Sequence, residues 1–344
     1  MKILIRATNW VGDAVMCIPA LGAIRARWPQ AEIAILARPW VADLYRGQPF
    51  ADRVIALDAS VRNPFAMEKI ARDLRGEHFD CAILLQNAFS AAWLVWRAGI
   101  RERIGFARDG RRFLLSRAIP VPRAGQIPVH ESFYYLELVR RAGWVDSLPD
   151  VAEIRLQLAA SASEAAELCL ETAGARRGAL RIALAPGAAY GSAKCWLPER
   201  FAALADSLVD EFAADVILFG TPSEAEVSRQ IVARMHHQPI NLIGQTPIGE
   251  LPALFSRCQL FIGNDSGAMH VAAAVGVAVV GIFGSTDPEG TAPRTQRRTI
   301  VRHPVACSPC FLRECPIDHR CMTRIETADV RAAAIQWLEQ PRRA

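Results

Sequence analysis

Residues 260–283 read LFIGNDSGAMHVAAAVGVAVVGIF, and the way this stretch divides decides the fold. Leu260–Ile262 is a short apolar run with the composition of a buried strand. Small and polar residues from Gly263 to Gly267 interrupt it, an Ala/Val-rich helix follows, and Val277–Phe283 is a second apolar run. Strand, polar turn, helix and strand in that order form a crossover unit, which joins parallel strands. The turn lies where a strand's carboxyl end feeds a helix N-terminus, the place where open α/β sheets hold ligands.

The same alternation runs outward from this unit. In the first half, strands are expected at Lys2–Ala7, Glu32–Ala37, Arg53–Ala56 and Cys81–Leu85, with helices over Asp13–Trp28, closed by Pro29, and Pro64–Leu74. From Ala98 to Asp150 the pattern loosens into Arg-rich, Pro-dotted sequence with one helix near Glu131–Ala142. The Ala- and Glu-rich stretch 160–175 reads as a connecting helix. A second series follows: strand Arg181–Ala185, helix Pro198–Glu211, strand Val216–Phe219, helix Ser223–Met235, strand Asn241–Ile243, helix Ile248–Cys258 and the crossover unit. A last helix, Ala328–Glu339, is capped by Thr327. The expected fold class is α/β, with two doubly wound Rossmann-like domains at residues 1–158 and 179–325. A linker at 159–178 joins them, and a C-terminal helical segment, 326–344, is free to pack back on the N-terminal domain.

The 344 residues are 51% hydrophobic and 22% charged, which gives a real core and excludes a disordered chain. The net charge of +5 points to an anionic partner and does not by itself imply nucleic acid. The opening MKILIRA lacks a signal-length apolar region, and the longest apolar stretch, Val271–Gly284, is too short to span a bilayer. Nine Cys, four of them in the last forty residues, do not form a secreted disulfide framework. The expected setting is the reducing cytoplasm.

Three loops carry residues suited to chemistry. In ATNWVGDAVM (7–16), Gly12 permits close backbone approach and Asp13 sits in a helix's first turn, as a favourable charge at the helix N-terminus or as a base for a substrate hydroxyl. No GxGxxG is present in that loop and no GxxxxGK[ST] anywhere, which excludes a P-loop. In LAPGAAYGSAKCWLPERF (184–201), a strand breaks at Pro186–Gly187 and a loop of small residues carries Lys194 to a helix opened by Pro198. Lys194 is either solvated or part of a phosphate seat. In the crossover unit, Asp265, Ser266 and Gly267 open a helix and His270 follows one turn later. They act as a cap beside a half-buried His, or as donors to an anionic diphosphate.

Taken together and in order, NWVGDAVM, PGAAYGSAKCW, FGTPSEAE and NDSGAMHVAAAVG resemble the bacterial ADP-heptose:lipopolysaccharide heptosyltransferases, glycosyltransferase family 9. With the Cys-rich CSPCFLRECPIDHRCM, the wording is most like the type II members. The resemblance covers nearly the whole chain. It implies a GT-B fold whose two domains face a cleft, and an inverting transfer of L-glycero-D-manno-heptose from ADP-heptose to the inner core, on heptosyl-Kdo2-lipid A. Asp13 then matches the general base, Lys194 a phosphate contact, and Glu224 a carboxylate on the ribose hydroxyls. Gly187 belongs to the donor loop, and Asp265, Ser266, Gly267 and His270 to the block around the sugar diphosphate. Lys194 and His270 would assist the departing phosphate, so no metal is obligatory. Ala189 stands where the family often has an acidic residue, and Cys195 where it often has Arg. Other readings are transfer to a different inner-core position (types I or III), a non-catalytic nucleotide-sugar-binding module, and an epimerase of the same fold.

Residues 97–123 hold eight Arg against Glu102 and Asp109, an excess of six positive charges. They form a solvated face or a surface for an anionic glycolipid of the Kdo-lipid A type, with Arg108, Arg111 and Arg112 as acceptor-binding candidates. Upstream, Phe89, Trp93, Leu94 and Trp96 belong to the core or dip into the inner face of the cytoplasmic membrane, which the protein would meet peripherally. No nucleic-acid partner is expected. Cys307, Cys310, Cys315 and Cys321, spaced C-x2-C-x4-C-x5-C, read as a structural zinc site, as free or buried thiols, or as a redox pair.

Overall fold

The computed structural model describes residues 1–58 and 63–340 and divides the chain into two compact units, Met1–Val151 and Ala152–Ala344. The first unit runs β1 (Lys2–Arg6), α1 (Val11–Met16), α2 (Ile18–Arg27), β2 (Glu32–Ala37), α3 (Pro39–Tyr45), β3 (Arg53–Ala56), α4 (Pro64–Gly76), β4 (Cys81–Leu84), α5 (Phe89–Arg97), β5 (Glu102–Phe106), β6 (Arg117–Ile119) and α6 (Glu131–Arg141). Its parallel sheet has the order β3-β2-β1-β4-β5-β6. Buried on both faces, Ile3–Ile5 of β1 and the whole of β4 read as unbroken apolar runs, as central parallel strands do. The direction of winding reverses between them, so the loops after β1 and β4 frame the first unit's switch point.

Two expectations change here. The helix over Asp13–Trp28 is two helices meeting at Cys17, because Pro19 has no N–H to offer the Val15 carbonyl. The loosened region beyond Ala98 contains β5 and β6, which extend the sheet.

The second unit runs α7 (Ala160–Thr172), β7 (Arg181–Ala185), α8 (Pro198–Phe212), β8 (Asp215–Leu218), α9 (Ala225–Val232), β9 (Ile240–Asn241), α10 (Leu251–Ser256), β10 (Leu260–Asn264), α11 (Gly267–Ala274), β11 (Ala278–Phe283), α12 (Pro288–Thr291), β12 (Arg298–Arg302), α13 (Arg320–Thr323) and α14 (Thr327–Leu338). The sheet order is β12-β11-β10-β7-β8-β9, all parallel, with Ile262 of β10 between Leu184 and Val280. Its switch point lies between β7 and β10.

The expected boundary moves N-terminally. Ile154 and Leu156 donate to the carbonyls of Arg294 and Ala274 (3.0 and 2.9 Å), which ties residues 152–158 to the second unit. The connecting helix α7 also belongs there, through Glu167 paired with Arg181 at 2.7 Å. In the terminal helix, Val330, Ala333 and Ala334 of α14 join the core around Trp196, Phe201 and Ile262, which uses these three side chains inside the second unit. Residues 341–344 of that expected segment lie outside the described residues.

Candidate active site

At the second unit's switch point, a fully buried Asn264 ends β10 and stitches two loops together. Its Oδ1 accepts from Trp196 N (2.9 Å), and its Nδ2 donates to Pro186 O (2.6 Å). Trp196 also donates through Nε1 to Ile325 O at 2.9 Å and stacks edge-on against Phe201, so the loop carrying Lys194 is anchored from behind. Lys194, at the end of a one-turn helix, donates from Nζ to Asp265 Oδ2 at 2.5 Å, and Thr286 Oγ1 donates to the same oxygen at 2.7 Å. The pair is largely shielded, with side-chain exposures of 13% for Lys194 and 4% for Asp265.

Ser266 occupies the N-cap position of α11 in an extended conformation but makes no side-chain cap bond. Its hydroxyl and that of the fully buried Ser285 have no hydrogen-bond partner among the described residues. The α11 N-terminus therefore presents main-chain N–H groups from Gly267 onward that the Ser266 side chain does not cap, next to a cation. That arrangement suits an anion. His270 lies buried in α11, one turn from Ser266.

Glu224, in the one-turn helix Pro222–Glu224 after β8, accepts from Thr221 N at 2.6 Å in a capping box. Its carboxylate lies over Gly187, where a Cβ would stand 1.9 Å from Oε1. Gly187 is thus the residue type that leaves room for Glu224. Both line a cavity of about 320 Å³ with Ser192, Cys195 and Gln230. Burial, and then the Glu224 charge, push the Cys195 thiol up to about 11, so it lines this cavity as a neutral group.

In the first unit, Asp13 is half-buried at the third position of α1, directly beyond β1. The thiol of Cys17 and the phenols of Tyr45 and Tyr135 are raised chiefly by burial, and the Asp13 charge adds to each rise. Tyr45 donates to Ala14 O at 2.6 Å, which fixes α1.

The three acceptor candidates separate. Arg111 is fully buried: its guanidinium donates to Phe106 O (3.0 Å), Gln86 O and Asn87 Oδ1 (2.9 Å), and burial lowers its pKa to about 10. It is a strut joining the loops after β4 and β5, and its assignment to an acceptor surface is corrected, since these donors are used internally. Arg108 and Arg112 are exposed, with Arg108 reaching Tyr134 Oη at 3.4 Å. Asn87 Nδ2 also donates to Tyr134 Oη, at 3.0 Å.

The four clustered cysteines share one neighbourhood: burial, and then the charges of Cys315, Cys307 and Cys310, raise the Cys321 thiol. All nine are free thiols, and among the described residues no group of three or more His, Cys, Asp or Glu is placed to hold a metal ion. Cys307 and Cys310 are exposed while Cys321 is buried in α13. The backbone of this segment instead braces the site: Cys310 N and Phe311 N donate to Ser285 O (3.0 and 2.8 Å), and Ala193 N donates to Arg313 O (2.9 Å). Asn264, Thr286, Asn87 and Tyr134 are not among the site residues expected from the sequence. Asn264 and Thr286 carried a usable signal, since each lies at or just beyond a strand's carboxyl end.

Residues 67–320 match glycosyltransferase family 9 (heptosyltransferase). The chain is 30% identical over 315 residues to lipopolysaccharide heptosyltransferase 2 of Escherichia coli K12, covering 88% of each. It is 28% identical over 339 residues to lipooligosaccharide heptosyltransferase 2 of Campylobacter jejuni serotype O:2, covering 96% of each. The solved structure of E. coli ADP-heptose LPS heptosyltransferase II superposes with a TM-score of 0.84 at 26% identity, covering 98% of each chain. Two six-stranded parallel sheets with switch-point loops, the family match and these relatives agree: the chain belongs to glycosyltransferase family 9 and is a glycosyltransferase of the GT-B fold.

Proposed function

We propose that the chain transfers L-glycero-D-manno-heptose from ADP-heptose to heptosyl-Kdo2-lipid A of the lipopolysaccharide inner core. The observation that carries this reading is the seat at the second unit's switch point, where Lys194, the α11 N-terminus and the unpartnered Ser266 hydroxyl converge around Asp265. In this reading the donor's diphosphate binds there. The nucleoside occupies the cavity beside Gly187, with Glu224 accepting from the ribose hydroxyls. Asp13 takes the proton of the acceptor hydroxyl as its oxygen attacks the anomeric carbon, and the bond to ADP breaks on the opposite face. Lys194, the helix terminus and His270 meet the charge that develops on the departing diphosphate, so no step is routed through a metal. Arg108 and Arg112 contact the anionic acceptor.

The same reading places the enzyme peripherally on the inner face of the cytoplasmic membrane. No helix among the described residues is long and apolar enough to cross a membrane. Exposed Phe89 and Trp96 share one face of α5, and the exposed Phe113 ring lies 6.1 Å from Phe89 beside Arg112, a combination suited to an anionic lipid surface. The test offers ADP-heptose and vesicles of anionic lipid carrying either Kdo2-lipid A or its mono-heptosylated form. Product mass should show one added heptose on the mono-heptosylated acceptor alone, and the protein should sediment with the vesicles. Transfer only to unheptosylated acceptor moves the enzyme to the first inner-core position, and no transfer to either overturns the reading.

Gly187→Ala checks the nucleoside pocket. The new methyl displaces the Glu224 carboxylate from Thr221 N, and ADP affinity is expected to fall about tenfold, the loss of one charge-assisted contact. Unchanged ADP titration would remove Glu224 from the ribose site.

A further inference from the structure

Lys194 is the cation of the proposed diphosphate seat, yet its charge is already matched by Asp265 at 2.5 Å. A sugar nucleotide adds two negative charges to that nearly neutral pair, so the seat calls for a further cation. One is held nearby. The half-buried ring of Tyr190, on the loop that leads to Lys194, has Lys194 Nζ 5.0 Å from its centroid and the Arg313 guanidinium carbon at the same 5.0 Å. The two cations therefore stand at most twice that distance apart. Arg313 is exposed and, among the described residues, makes no ion pair.

Its position is built rather than incidental. Ala193 N donates to Arg313 O at 2.9 Å, Tyr190 Oη donates to Phe311 O at 2.8 Å, and His319 Nε2 bonds Ala193 O at 3.0 Å. Gly191 allows this approach, since a Cβ there would stand 2.2 Å from Arg313 O. The Cys-rich segment is thus strapped onto the Lys194 loop and, through Cys310 N and Phe311 N, onto Ser285 beside Thr286.

We infer that Arg313 is a second donor-binding cation, presented by the Cys-rich strap over Tyr190 to the diphosphate of the sugar nucleotide. The inference rests on the reading of the Lys194–Asp265 seat given above. A contact with a ring face draws on the guanidinium's charge and leaves its N–H edge available to fork a phosphate.

The test titrates the full-length protein with ADP and with adenosine. Arg313→Gln keeps the main-chain carbonyl that holds Ala193, so the strap stays in place. ADP affinity should fall about tenfold, with adenosine affinity unchanged, and Arg313→Lys should recover part of the loss. The dependence of ADP binding on salt should also become shallower in Arg313→Gln. If Arg313→Gln binds ADP within about twofold of the parent while Lys194→Met loses it, Arg313 is not part of the site and the seat stands. Equal losses for ADP and adenosine make its effect structural and overturn the inference. If neither variant alters ADP binding, the seat itself is misplaced and the inference goes with it.

Discussion

Asp13→Asn is expected to lower kcat about 10²- to 10⁴-fold while the donor KM stays within about threefold, because an amide of the same shape cannot accept the acceptor's proton. A competing role exists at the same position. Asp13 is the third residue of α1, where a negative charge favours the helix dipole by about 0.3–1 kcal/mol. The two roles separate in measurement: loss of the dipole interaction shows in thermal melting and leaves the rate alone, whereas loss of the base shows in the rate. Cys17, Tyr45 and Tyr135 each feel the Asp13 charge but are raised chiefly by burial and stay protonated near neutral pH, so none of these three replaces it as a base. Initial rates of Asp13→Asn against the parent, with melting curves on both, decide the matter. A parental rate with a small stability loss would leave Asp13 as a helix-dipole residue.

The parts of the fold that the sequence displays are those whose burial leaves no choice of residue. The strands β4, β7, β10 and β11 are buried along their length and β1 from Ile3 on, and their apolar runs stand out without structural help. By contrast, β5 opens with Glu102 and Arg103, and β6 is only Arg117–Ile119, so neither shows the continuous run that marks a strand. The Arg-rich stretch hides a different limit, because composition does not say where a guanidinium points. Arg97 pairs with Glu68, Arg103 binds the Leu114 and Ile100 carbonyls, and Arg111 is buried, while Arg108 and Arg112 remain on the surface. The cysteine spacing has a related limit. A ligand pattern concerns side chains, and this segment is positioned by main-chain bonds to Ser285 and Ala193, which no spacing records. At the seat, Lys194 and Asp265 were legible as separate loop residues. Their pairing depended on β7 and β10 being neighbours in a sheet whose order runs against the chain.

That pairing gives the donor site its largest expected response. Lys194→Met should raise the donor KM about 100-fold and destabilise the protein by about 3 kcal/mol, more than one lost phosphate contact would produce. Asp265 is 4% exposed, and without Lys194 its carboxylate keeps, among the described residues, the Thr286 hydroxyl at 2.7 Å. Removing one partner of a shielded pair leaves the other charge uncompensated, and here that charge also faces the incoming diphosphate. The double variant Lys194→Met/Asp265→Asn separates these contributions. Its amide still accepts from Thr286 and carries no charge, so most of the stability should return. Donor affinity should recover only the repulsive part and remain about tenfold below the parent, since the cation is still missing. Thermal melting and donor titration across the four proteins of this cycle measure both quantities. Full recovery of donor affinity in the double variant would mean that Lys194 acts only by neutralising Asp265, and an unchanged KM in Lys194→Met would place the diphosphate elsewhere.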